Sequence, residues 1–256
     1  MEAAGDGSMG MFRATPDAAA GIGRSAEVAA LLNKMVDGLG ATVLHISGTG
    51  SHEFTVHPST HLLIQALQNY SRSTYLVEPV HHTTAPCSHM VDCWAAKLEE
   101  DAEMIRQGEK GVKYIFLMNN TCLVLQMMGR PGAASFAGAQ ELASRLTSMV
   151  ELYKKCYLDE CWAPLHRLNL DMFAAEFRAT CDCQSTWKVG AELRCNLRQE
   201  IVDFVVPPYE ASLSDRSACS GPSFSLLKRM VFGGKKQKRY DTGAQLEGKI
   251  RGLFEG

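Results

Sequence analysis

Apolar residues recur at three- and four-residue steps in one segment after another of this chain. No stretch of comparable length alternates apolar with polar residues. The first pattern lines one face of a helix, and a half-buried strand would need the second. The fold class is therefore all-α, with antiparallel neighbours joined by short connections.

Val28, Leu31, Leu32, Met35, Val36 and Leu39 give a first helix that stops near Gly38 or Gly40, and residues 47–52 form a polar loop. His57-Pro58 ends that loop, and Ser59 or Thr60 caps a helix whose stripe is Leu62, Leu63, Ala66, Leu67 and Tyr70. Residues 71–90, with Pro79, Pro86 and a run of His and Thr, read as connection. A charged helix spans residues 91–107 and ends at Gly108. From Lys110, the positions Val112, Ile115, Phe116, Asn119, Cys122, Leu123, Gln126 and Met127 predict a helix buried on several sides, with two amides on its apolar face. Gly129-Arg130-Pro131-Gly132 stops it. Residues 136–157 and 165–186 are the next helices, the second carrying Leu170, Phe173, Phe177, Cys181 and Gln184 on one face. Leu193, Leu197, Ile201, Phe204 and Val205 mark another, closed by Pro207-Pro208. A short last helix buries Leu246, Ile250, Leu253 and Phe254 and turns Lys249 and Arg251 elsewhere.

With 256 residues, 46% of them hydrophobic and 21% charged, the chain can bury a sizeable core, which excludes a disordered polyampholyte and a stapled miniprotein. Residues 1–24, rich in Gly, Ala, Ser and Asp, read as a flexible leader. The N-terminus has no basic stretch followed by an apolar one, and nine cysteines at irregular spacings fit free thiols in a reducing compartment. The longest apolar run, residues 112–128, is interrupted by Lys113, Asn119, Asn120 and Gln126 and is too broken to span a bilayer.

Candidate chemistry is sparse. His81, His82, Cys87, His89 and Cys93 are ligand types that zinc favours, but no second pair at matching spacing accompanies them, so a polar loop leading into a helix is the expectation. Cys181 and Cys183 stand two apart in a helix and face different directions. Gly48-Thr49-Gly50 lacks the Lys and Ser/Thr of a phosphate loop, and no Cys–His pairing carries a hydrolase motif. The expectation is a protein that is not an enzyme and takes no metal or other cofactor. Asn119, Asn120 and Gln126 are expected to fix helix register through hydrogen bonds, and Trp187 to plug the space between two helices.

Charge is distributed unevenly. The net charge is -2, which gives no general reason to expect nucleic acid as a partner. From Lys228 to the end, eight basic residues face three acidic ones, a local net of +5 against -7 for the rest. Lys228, Arg229, Lys235, Lys236, Lys238 and Arg239 follow one another with no acidic residue between Arg216 and Arg239, and Gly233-Gly234 lets the segment drape over a surface. Such a run is attracted to anionic headgroups by about 1 kcal/mol per basic residue, polyphosphoinositides above all. A solvated basic loop or a nuclear-import-like run is the bland alternative.

Val56-His57-Pro58-x-Thr60 opening a helix, Tyr114-Ile115-Phe116-Leu117-Met118-Asn119-Asn120 with Gln126 behind it, Phe173-x3-Phe177 with Gln184-x2-Trp187, and the ending Leu253-Phe254-Glu255-Gly256 occur in an order and spacing that resembles a known family. It is the exocyst seventy-kilodalton subunit, in its plant form, matched over its C-terminal portion. The resemblance implies stacked antiparallel helical bundles forming part of an elongated rod, with residues 25–256 as that region and two sub-bundles at about 25–160 and 161–256. It also implies a part in tethering secretory vesicles to the plasma membrane during exocytosis. Lys236-Gln237-Lys238-Arg239-Tyr240 matches the family's basic segment before the last helix, so Lys236 and Arg239 inherit contacts to phosphatidylinositol 4,5-bisphosphate, with Lys235 and Lys238 adding charge. A second basic site falls on Arg167, where Leu165-His166-Arg167-Leu168-Asn169-Leu170 keeps one cation. The implied location is cytoplasmic, peripheral at the inner face of the plasma membrane, with other exocyst subunits and a Rho-type small GTPase as partners. Without the family's N-terminal helices the chain resembles a truncated or divergent paralogue. The rival reading is a helical protein-binding module that recognises a small GTPase, an exocyst subunit or a pathogen effector without lipid.

Overall fold

The computed structural model describes residues 56–75, 85–105, 109–130, 136, 138–218 and 240–255. The leader, the helix at 28–39, the loop at 47–52, His81, His82 and the basic run from Lys228 to Arg239 lie outside the described residues. Seven α-helices are described: α1 (Pro58–Tyr75), α2 (Ala85–Met104), α3 (Val112–Met128), α4 (Ala139–Cys161), α5 (Leu170–Gln184), α6 (Ala191–Ala218) and α7 (Gly243–Arg251). A 3-10 turn, Ala163–Arg167, links α4 to α5. Among the described residues the one β-type pairing is an isolated antiparallel bridge between Lys188 and Glu255, so the all-α expectation holds.

Helix α3 is the axis of the bundle. Ten of its residues are buried, from Ile115 to Met128, as expected for a helix apolar on nearly every side. It starts at Gly111, whose φ of 83° is one that glycine adopts without strain. A Cβ there would run into the Cys161 sulfur, so the missing side chain also sets how closely the start of α3 meets the end of α4. The Gly111 N–H donates to Glu160 at 3.2 Å, and Lys113 pairs with Glu103 at 2.9 Å. The first residues of α3 thus meet the last residues of both α2 and α4, and α3 runs antiparallel to each. Helices α2 and α4 run parallel: Asp92 pairs with Arg145 and Glu99 accepts from Tyr153 at 2.7 Å, at offsets of 53 and 54 residues. One hydrophobic cluster joins every helix, from Leu63 on α1 to Ile250 on α7.

Several boundaries differ from the expectations, each for a local reason. Residues 85–90 belong to α2 and not to a connection, since proline is tolerated in a helix's first turn, where its missing N–H leaves no bond unmade. The expected helix over 165–186 is broken. Leu168 is extended, and the Asn169 side chain accepts from the Met172 N–H at 3.0 Å, starting α5 afresh. Pro207-Pro208 does not close α6, which continues to Ala218. Pro208 deprives the Phe204 carbonyl of its helical donor, and His166 replaces it, donating from Nε2 at 3.1 Å. The carbonyl that Pro207 frees belongs to Asp203, an exposed residue that water can reach. Beyond the prolines, Tyr209 stacks on Phe173 at 4.6 Å, which ties the continuation to α5.

Candidate functional site

The segment that follows the expected lipid-binding run packs at one end of the bundle. Chain 240–255 rejoins there, directly after Arg239. Tyr240 donates its hydroxyl to Asp171 Oδ1 at 2.8 Å and accepts from Arg216 Nη1 at 2.8 Å, and the guanidinium lies 5.0 Å from the ring centre. Tyr209 donates to the Asp241 carbonyl at 2.7 Å. Thr242 and Gln245 then form a reciprocal capping box that starts α7. The residue following the basic run is therefore held to the start of α5 and the end of α6.

Arg167 lies at the same end. It is the last residue of the 3-10 turn, four positions before Asp171, and its side chain is exposed. Arg167 and Tyr240, more than seventy residues apart in sequence, meet at the first turn of α5, which Arg167 precedes and Tyr240 contacts through Asp171. The other cations close by are engaged. Lys249 pairs with Asp241 at 2.5 Å and Arg251 with Glu247 at 2.6 Å. Lys235, Lys236, Lys238 and Arg239 lie outside the described residues.

The end of the chain is clamped onto α6. Leu253 and Phe254 are buried, and Phe254 takes a φ of 60°, rare for a bulky residue. Arg194 donates to the Phe254 carbonyl at 3.1 Å, Arg198 to the Leu253 carbonyl at 2.9 Å, and Arg198 also pairs with Glu255. That hydrogen bond and charge hold the Glu255 carboxyl below its usual range. The Thr-x-x-Gln spacing of the cap was legible in the sequence. The partners of Tyr240, Arg194 and Arg198 were not, because each lies on a different helix.

The amides divide. Asn120 Oδ1 accepts from the His57 N–H at 2.7 Å and the Thr60 hydroxyl at 2.6 Å, while its Nδ2 donates to the Phe116 carbonyl at 2.8 Å. Trp94 Nε1 donates to the Thr60 oxygen at 3.2 Å. Asn119 holds the α5–α6 connection, donating to the Lys188 carbonyl at 2.9 Å and accepting from the Gly190 N–H at 3.0 Å. Both set register as expected. Gln126 does not: it is exposed and reaches Glu192 at 3.3 Å, because its position on α3 turns out of the apolar face. Trp187 is buried between α5 and α6, as its place in the sequence suggested.

A Ser–His–Asp string was not expected. Ser59 Oγ lies 2.6 Å from His57 Nδ1, and His57 Nε2 lies 3.5 Å from Asp101 Oδ2. Ser59 is 0% exposed, so no substrate reaches it, and the string is a structural tie between α1 and α2. Burial lowers the His57 pKa, opposed by the Asp101 carboxylate and reinforced by Lys97, which pairs with Asp101 at 3.0 Å. Burial also pushes the Cys87, Cys161 and Cys181 thiols up to about 12 and Cys122 to about 11, the opposite of an activated nucleophile. Of the expected zinc-type residues that are described, Cys87 is buried, and His89 and Cys93 sit one turn apart with their side chains 3.7 Å from each other. Among the described residues no three His, Cys, Asp or Glu side chains converge. Cys181 is buried and Cys183 exposed, so they face apart. No described helix is long and apolar enough to cross a membrane.

Among the described residues these features define an all-helical bundle with a clamped terminal helix. Residues 57–223 match the family that comprises the C-terminal region of the Exo70 exocyst complex subunit, and the chain belongs to that family. The match contains the His57, Asn120, Phe173 and Trp187 motifs together with Arg167. No curated protein matches the chain closely enough to count as a relative.

Proposed function

We propose that the chain is a non-enzymatic member or paralogue of the exocyst vesicle-tethering machinery that contacts phosphatidylinositol 4,5-bisphosphate at the inner face of the plasma membrane. Lys235, Lys236, Lys238 and Arg239 supply the charge, and Arg167 adds a cation at the same end of the bundle. The observation that supports this reading is the hydrogen bond from Tyr240 to Asp171, since it ties the residue after the basic run to the helix start that Arg167 precedes. Binding is Coulombic and reversible, screened over about 8 Å at physiological salt. Other exocyst subunits are its protein partners, and a Rho-type small GTPase is a further one.

The test is co-sedimentation with liposomes containing or lacking phosphatidylinositol 4,5-bisphosphate, across a salt series. The native chain should pellet with the lipid at low salt and release as salt rises. The chain with Lys235→Glu, Lys236→Glu, Lys238→Glu and Arg239→Glu should stay in the supernatant while keeping its helical circular dichroism. Arg167→Glu should weaken binding in part. A native chain that never pellets at low salt would end the lipid reading.

A further inference from the structure

The N-terminal cap of α1 is His57 and not Ser59 or Thr60. Pro58 opens the helix at the position where proline's missing N–H leaves no donor unmet. The next two donors both go to His57. The Ser59 N–H donates to the ring Nδ1 at 3.3 Å, and the Thr60 N–H to the His57 carbonyl at 2.9 Å. A side-chain acceptor for the second N–H of a helix is the usual work of Ser, Thr, Asn or Asp. Here an imidazole nitrogen takes that place, and unlike those oxygens it can be closed by a proton near neutral pH.

The geometry fixes which ring nitrogen is bare. Nδ1 accepts from the Ser59 N–H and lies 2.6 Å from Ser59 Oγ, while Nε2 faces Asp101 Oδ2 at 3.5 Å. The proton of the neutral ring therefore sits on Nε2, since a bare Nε2 would set its lone pair against those of the carboxylate. His57 is 2% exposed and Asp101 7%, and neither of the two facing atoms has a hydrogen-bond partner among the described residues. The carboxylate beside the ring is what makes an imidazolium tenable there, because a buried charge needs a counter-charge. From α2, Asp101 favours the charged ring, and Lys97, paired with Asp101 at 3.0 Å, opposes it. From α3, Phe116 meets the ring edge to face and Asn120 accepts the His57 backbone N–H, and neither titrates. We propose that His57 is a proton-operated cap: a proton on Nδ1 takes away the acceptor of the Ser59 N–H and opens the first turn of α1. Asn120 and Trp94 both bond to Thr60, so that turn is where α1 is seated on α3 and α2.

The test is NMR on the isotope-labelled full chain. At neutral pH the His57 ring should show a pyridine-type Nδ1 and a pyrrole-type Nε2, and the reverse tautomer would overturn the proposal. Protection of the Ser59 amide against hydrogen exchange, corrected for the intrinsic effect of pH, should fall by up to about tenfold per pH unit below 6.5, the ordinary imidazole value. Val124, buried in α3, should keep its protection over the same range and so shows that the bundle remains folded. His57→Asn supplies a cap that does not titrate, and its Ser59 protection should stay level. Asp101→Asn removes the counter-charge and should extend the fall to lower pH, which decides the matter if His57→Asn does not fold. Ser59 protection that is flat in the native chain, or that falls equally in His57→Asn, means that the ring is not a proton-operated cap.

Discussion

The Tyr240 hydroxyl and the Asp171 carboxylate, 69 residues apart, meet at 2.8 Å, and this contact closes the last segment of the chain against the start of α5. Tyr240→Phe removes that bond and the Arg216 bond while keeping the ring. A loss of about 1 kcal/mol is expected, measured by urea unfolding, since the group is only half-buried. A double-mutant cycle of Tyr240→Phe with Asp171→Asn should show a coupling between the two positions, and strictly additive losses would contradict it.

Asn120→Ala leaves the His57 N–H and the Thr60 hydroxyl without their acceptor inside a buried interface. Stability should fall by about 3 kcal/mol in chemical denaturation. Gln126→Ala, on the same helix but exposed, should change it by less than about 0.5 kcal/mol.

Gly111→Ala combines a positive φ with a Cβ that collides with the Cys161 sulfur. The variant should lose more than about 2 kcal/mol, and adding Cys161→Ala should recover part of it by removing the clash, with the backbone strain remaining. A double-mutant cycle in urea measures the coupling, and strictly additive losses would contradict it.

His57 makes stability depend on pH in one direction. Desolvation is the largest influence and lowers its folded pKa from the model-compound value of 6.5, so the unfolded chain binds the proton more readily. The stabilisation is complete above about 6.5 and is lost as pH falls through the lowered folded value, with a slope of at most about 1.4 kcal/mol per pH unit. Unfolding midpoints at about pH 7.5 and about pH 5.5, on either side of the unfolded value, should differ more in the native chain than in His57→Gln. An equal difference in both would show that the imidazole is not the group responsible.

Cooperation between distant residues separates what was legible from what was not. Helix α3 was readable almost to the residue because its apolar period and the Gly129 stop lie within or beside it. The break before α5 was also written locally, in Asn169 followed by Asp171, a cap residue and an acid suited to a helix's first turn. The continuation of α6 past Pro207-Pro208 was not, because a rule about proline within one helix is overridden by a donor from His166, 38 residues away.

By itself the sequence determined the helical class, the family motifs and the concentration of positive charge near the end, since periodicity and composition are properties of contiguous residues. Only the tertiary structure decided that Arg167 and Tyr240 share one end of the bundle, that Asn120 serves His57 and Thr60, and that Ser59 is sealed from solvent. The reason is physical: a hydrogen bond or a buried surface depends on which helix faces which, and that is set when the apolar faces pack together.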